Sequence, residues 1–126
     1  MRSLIVGGTS GLGLEIAKLL QSSGDEVIIT GRKNPEIKGL QFQKFNLDLG
    51  AELSGAVDTF VSALPKIDRL FYVAGFYQEG NLTELEDQAI KNMLDVGINA
   101  PIWFVRELLQ NQHEISEFVA VTSTSQ

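Results

Sequence analysis

The sequence predicts an α/β protein: one parallel sheet in the strand order 3-2-1-4-5, with right-handed crossovers and helices on both faces. Three observations predict it. Short apolar runs at 4–6, 26–30, 41–45, 67–73 and 118–123 alternate with stretches of helical periodicity. The first run breaks straight into glycines and then into a helix, which is how a nucleotide-binding βα turn reads. The chain has 126 residues, 44% of them hydrophobic and 21% charged, the size and balance of one domain around one core. Together these describe a Rossmann-type sheet spanning 1–126, with its ligand expected at the glycine turn.

The glycine turn organises the rest. After Leu4-Ile5-Val6 come Gly7-Gly8-Thr9-Ser10-Gly11-Leu12-Gly13, then a helical run over 14–21 with Leu12, Ile16, Leu19 and Leu20 inward and Glu15, Lys18 and Gln21 outward. Gly7 ends the strand in a tight turn, Gly11 leaves room for a ligand, and Gly13 lets the helix lie close to the sheet. Free N–H groups at the helix start then face a pyrophosphate, with the Thr9 and Ser10 hydroxyls beside them. A Walker A loop is excluded, because Leu14 and Glu15 stand where Lys and Ser/Thr are needed. The G-x-G-x-x-G fingerprint is absent as well. What remains is Gly-x-x-x-Gly-x-Gly, which resembles the cofactor loop of the short-chain dehydrogenase/reductase family, of its compact type. That resemblance implies a nicotinamide dinucleotide cofactor and a small-molecule carbonyl or alcohol substrate.

The second strand, 26–30, is entered through a Gly24-Asp25 turn and ends Thr30-Gly31-Arg32-Lys33. An acidic residue here holds a ribose 2′-hydroxyl, and an arginine accommodates a 2′-phosphate. With no carboxylate and two cations, NADP is expected over NAD, Arg32 clamping the phosphate; the other reading makes Arg32 and Lys33 solvated turn residues. The link over 34–40 is too short for a full crossover helix, so a turn is expected there. Asp48-Leu49 after the third strand matches the resembled family's adenine-flanking pair. Asp48 also suits an N-cap for a helix over 51–64, whose apolar face is Leu53, Val57, Phe60, Val61 and Leu64.

Pro65 stops that helix, and the fourth strand runs into Ala74-Gly75. The resembled family has Asn-Asn-Ala-Gly here, its Ala-Gly backbone passing the cofactor ribose. Tyr72-Val73 replace the asparagines, so the side-chain hydrogen bonds that tie this strand to its neighbours are expected to be lost. A loop over 76–82 carries two aromatics that either line a pocket or cap the core. Thr83-Glu84-Leu85-Glu86 is a capping box opening a helix that carries Leu85, Ile90, Met93 and Leu94. A second helical run begins near Gly97 and ends near Gln110, with Pro101 bending one long helix or starting a new one. Asp95-Val96-Gly97-Ile98 looks like the family's Asp-Val-Asn-Leu segment, whose asparagine holds a catalytic water chain. Asn99 is offset from that position by two residues; it either stands in or the role is absent. His113 reads as a residue favoured by a helix C-terminus. The fifth strand ends at Ser123, which matches the family's substrate-orienting serine and equally reads as part of a polar terminus.

A formal charge of −6 argues against nucleic-acid binding. Zero cysteines exclude disulfides and thiolate metal sites, and one histidine leaves little for an imidazole site. No secretory signal and no run of membrane-spanning length is present, so a cytoplasmic location without membrane contact is expected. The helix around Trp103 resembles one the family uses for dimers, which implies a homo-oligomer. The family's proton donor, a tyrosine followed four residues later by lysine, is absent: Tyr72 is followed by Phe76 and Tyr77 by Asn81. Five strands make the cofactor half of a domain of roughly 200–250 residues, and a last apolar strand leaves a bare edge. The reading is therefore an N-terminal portion of an NADP-dependent oxidoreductase, with a non-catalytic NADP(H)-binding module as the alternative.

Overall fold

The structure, a computed structural model, describes residues 1–47, 49–73, 86–112 and 115–121. The chain runs β1 (Arg2–Val6), α1 (Gly11–Ser22), β2 (Glu26–Gly31), β3 (Gln41–Lys44), α2 (Leu53–Ser62), β4 (Arg69–Tyr72), α3 (Asp87–Leu94), α4 (Ala100–Gln112) and β5 (Glu117–Ala120). A 3₁₀ turn (Gly50–Glu52) leads into α2, and a π-helical turn (Asp95–Asn99) joins α3 to α4. All pairings are parallel and the order is β3-β2-β1-β4-β5, as the alternation of elements predicts. The strand order reverses between β1 and β4. In open sheets of this kind the crevice at that switch point receives the ligand.

Period-two alternation divides the central strands between two cores. Leu4, Val6, Ile28, Leu70 and Tyr72 pack with Leu53, Val57 and Val61 of α2 and Phe104 and Leu108 of α4. Phe45, Phe60 and Phe104 interlock there, with ring centroids 4.9 to 6.3 Å apart. Ile5, Val27, Ile29 and Phe71 pack on the other face with Ile16, Ala17 and Leu20 of α1. Each fully buried Leu, Ile or Phe contributes about 1.5–3 kcal/mol over an exposed one.

Two helix faces differ from the sequence expectation. In α1 the inward stripe is Gly13, Ile16, Ala17 and Leu20, whereas Leu12 and Leu19 are more than half exposed. Small residues at positions 13 and 17 bring the helix axis close to the sheet, and that close approach selects the stripe. In α3 no residue is buried, and Ile90 and Leu94 stand exposed. The link over 34–40 contains no helix, as its length requires. Of the capping box expected over 83–86, residues 83–85 lie outside the described residues, as do the 76–82 loop and His113; Glu86 has extended backbone and is itself the N-cap of α3, not a residue of its first turn.

The two ends of the sheet are built differently. At the amino ends of the strands, charges interlock: Asp25 meets Arg69 at 3.2 Å, Arg2 meets Glu26 at 2.8 Å, and Arg69 reaches Glu117 at 3.7 Å. The Asp68 carboxylate accepts the Arg2 backbone N–H at 2.8 Å, and that bond, aided by nearby cations, holds its pKa below the ordinary value. The carboxyl ends of the strands are open.

Candidate functional site

A cleft of about 780 Å³ lies across the carboxyl ends of the strands. One wall is the turn between β1 and α1, the floor is the ends of β2, β3 and β4, and the facing wall is the π turn with Pro101.

The glycine turn is fixed by backbone sterics. Gly7 has φ +90°, a value that turns the chain sharply out of β1. The Gly7 and Gly8 N–H groups both donate to the Thr30 carbonyl, at 3.2 and 3.1 Å, fastening the turn to the end of β2. A Cβ on Gly13 would fall inside the Gly7 carbonyl, and one on Gly8 would lie 2.8 Å from Ile29 Cγ2. A Cβ on Gly11 (φ +56°) would meet nothing within 4 Å. Space is therefore left open where the sequence reading expects the ligand. The first helical hydrogen bond is Leu14 N–H to the Ser10 carbonyl, and Ser10 adds no side-chain cap. The N–H groups of Gly11, Leu12 and Gly13 thus have no acceptor among the described residues, and the positive end of the α1 dipole opens on the cleft.

At the end of β2, Gly31 is where the turn crosses most closely, because a Cβ there would collide with the Thr9 side chain. The sequence places Gly31 among the cofactor-binding residues at the strand end; its close approach to Thr9, 22 positions earlier, has no mark in the sequence. Arg32 lines the cleft, is exposed, and makes no ion pair or hydrogen bond among the described residues. Lys33 is exposed and outside the lining.

The facing wall departs from expectation. Tyr72 is buried at the end of β4, and its hydroxyl donates to the Val96 carbonyl in the π turn. The tie lost with the asparagines is replaced by a longer side chain reaching the helix layer. Burial pushes the Tyr72 phenol well above its ordinary pKa, so it stays a protonated donor. Gly97, Ile98 and Pro101 line the cleft, while Asn99 is outside the lining, its amide donating to Asp95 Oδ1 at 3.0 Å. Asn99 thus spans one turn of its own helix instead of entering the cleft.

The structure brings Gly7, Thr9, Ser10, Leu12, Gly13, Gly31 and Arg32 to one cleft, with Gly11 between them in the turn. Leu49 is not in it. The chain turns at Gly50 (φ +57°) and carries Leu49 back onto the core, and Asn46 and Leu47 line the cleft instead. Asp48, Ala74, Gly75 and Ser123 lie outside the described residues. No His, Cys, Asp or Glu cluster among the described residues has the grouping to hold a metal. No helix among them is long and apolar enough to cross a membrane.

An open carboxyl end on a 3-2-1-4-5 sheet, with a glycine turn leading into α1, defines a Rossmann-type protein of the doubly wound class. The family model for short chain dehydrogenases matches residues 2–126, so the chain belongs to the short-chain dehydrogenase family, oxidoreductases that use nicotinamide cofactors. It is 28% identical to a 3-oxoacyl-acyl-carrier-protein reductase of Rickettsia felis, over 95% of this chain and 55% of that protein. It is 26% identical to a 2-dehydro-3-deoxy-D-gluconate 5-dehydrogenase of Formosa agariphila, over 89% of this chain and 47% of that one. Among solved structures, a 4-hydroxyisoleucine dehydrogenase shares the fold with a TM-score of 0.83 at 23% identity, over 97% of this chain and 55% of that chain. The chain spans about half the length of the curated relatives it matches.

Proposed function

We propose that this chain is the cofactor-holding portion of an NADP(H)-dependent oxidoreductase that moves hydride between the nicotinamide and a carbonyl or alcohol carbon of a small molecule. The observation that carries the reading is the uncommitted Arg32 at the end of β2, in one cleft with the glycine turn. Gly7 to Gly13 suit a pyrophosphate, because the Cβ-free surface at Gly11 and the unpaired N–H groups of the first α1 turn lie together. Arg32 suits a 2′-phosphate, since a guanidinium can fork two of its oxygens. Lys33, one residue on, adds positive charge to that side. Ala74-Gly75 are proposed to pass the ribose, with Asp48 beside the adenine. The nicotinamide supplies or accepts the hydride when bound.

The chain's own residues bind, orient and polarise. Ser123 is proposed to hold the substrate oxygen. Tyr72 does not suit the proton donor: its hydroxyl is engaged by Val96 and its pKa is raised. Related proteins named as a ketoacyl reductase and as a sugar-acid dehydrogenase support carbonyl or alcohol chemistry. Exposed Ile98, Ile102 and Leu109 beside Trp103 support a homo-oligomer, testable by sedimentation. A cytoplasmic location is proposed with it.

Titration of the protein with NADPH and with NADH, followed by nicotinamide fluorescence, tests the reading. Tighter NADPH binding is expected. Equal affinities would remove Arg32 from the phosphate subsite, and no binding of either would remove the cofactor assignment.

A further inference from the structure

The π turn on the facing wall has a cause in the sequence. Proline at 101 has no N–H, and its ring crowds the carbonyl four residues back, so an α-helical register cannot continue through Gly97. The structure answers by widening: the Ala100 N–H donates to the Asp95 carbonyl, five residues back. In that same register the Val96 carbonyl would take its hydrogen from residue 101, which has none to give. The Val96 residue is buried, so water is a poor substitute. The Tyr72 hydroxyl, arriving from the neighbouring layer, is the donor.

We propose that Tyr72 is a positioning residue for the cleft: its hydroxyl replaces the N–H missing at Pro101, and so fixes the π turn that sets Gly97 and Ile98 along the cleft wall. Tyr72 and the turn also meet the same space, because Tyr72, Val96, Gly97, Ile98 and Pro101 all line the cleft. A loosened turn lets Ile98 move into or away from the bound dinucleotide. The link to the ligand rests on the dinucleotide reading above, whereas the link between Tyr72 and the turn does not.

Four forms of the protein test it: wild type, Tyr72→Phe, Pro101→Ala and the double variant. Amide hydrogen exchange without nucleotide reads the turn, and NADPH titration reads the cleft. Tyr72→Phe is expected to speed exchange across residues 98–104 at least tenfold more than in β1 and β2, and to weaken NADPH several-fold. Adding Pro101→Ala restores an N–H for the stranded carbonyl, so the double variant returns to within about twofold of Pro101→Ala in both readings. A change in Tyr72→Phe spread evenly over the sheet, or a double variant no better than Tyr72→Phe, overturns the proposal. A wild type that binds no dinucleotide would sink the cofactor reading alone, and the exchange data would still decide the role of Tyr72.

Discussion

The two walls of the cleft reach rigidity by different means. The wall between β1 and α1 is held by exclusion: Gly8, Gly13 and Gly31 sit where backbone or side chains leave no room for a Cβ, and two N–H groups share the Thr30 carbonyl. The facing wall is held by a single side-chain hydrogen bond across 24 residues of sequence, from Tyr72 to Val96. Steric exclusion acts whatever side chain replaces the glycine, most severely at Gly13, where the obstacle is backbone. A long hydrogen bond can be removed, and can be replaced by another donor. Errors in the first wall should therefore be severe, and errors in the second graded and rescuable.

The sharpest way to break that contrast is Gly13→Val. Its Cβ meets the backbone carbonyl of Gly7, which no rotamer change relieves. Overpacking usually costs about 1–3 kcal/mol, and a backbone clash belongs at or above the top of that range. Urea unfolding should show a loss of about 3 kcal/mol or more. A near-neutral Gly13→Val would mean that α1 can slide outward and that the first wall is not rigid.

Arg32→Asp comes next and acts on binding, not on folding. Charge-assisted hydrogen bonds contribute about 1.5–3 kcal/mol, so NADPH affinity should fall at least about tenfold while NADH affinity and the urea midpoint stay close to wild type. Equal loss for both nucleotides would assign the effect to the turn and not to a phosphate.

The second wall can be probed by pH. A tyrosine phenol in the unfolded chain titrates near about 10, and burial raises it in the folded protein. Above about pH 10 the unfolded state therefore loses a proton that the folded state keeps, and stability falls as pH rises through that window. Tyr72→Phe should cost about 1–3 kcal/mol at neutral pH, the penalty of a stranded buried carbonyl, and should flatten the alkaline descent. An identical alkaline slope in the variant would assign the descent to other groups.

How much of this was legible in the sequence follows the same division. The sheet order, the turn at 34–40 and the spacing of Gly7, Gly11 and Gly13 could be read because each follows from chain-local sterics and periodicity. The inward face of α1 could not: Leu12 and Leu19 fit a helical stripe as well as Gly13 and Ala17 do, and only the distance to the sheet decides between them. The replacement of asparagine by Tyr72 reads as a lost tie, since nothing in the sequence pairs a β4 side chain with a backbone carbonyl 24 residues on. Pro101 was visible as a break, but the break resolves into a π turn through a donor from another layer. Asn99 illustrates the cost of that: the widened turn hands it to Asp95.

The smallest expected effect is also the one that separates folding from function within the first wall. Gly11 differs from its neighbours: its φ of +56° disfavours a side chain, yet the space around its Cβ is empty. Left-handed backbone costs an ordinary residue about 1–2 kcal/mol, and asparagine less, partly offset by the entropy that glycine forfeits on folding. Gly11→Ala should thus lower stability by about 1 kcal/mol, and Gly11→Asn by only a few tenths. If the empty space belongs to the ligand, both variants should lose NADPH affinity alike, because both put atoms where the dinucleotide backbone approaches. Affinity that instead followed stability, poor in Gly11→Ala and near wild type in Gly11→Asn, would make Gly11 a conformational glycine only. The first wall would then owe its openness to the turn and not to the ligand it faces.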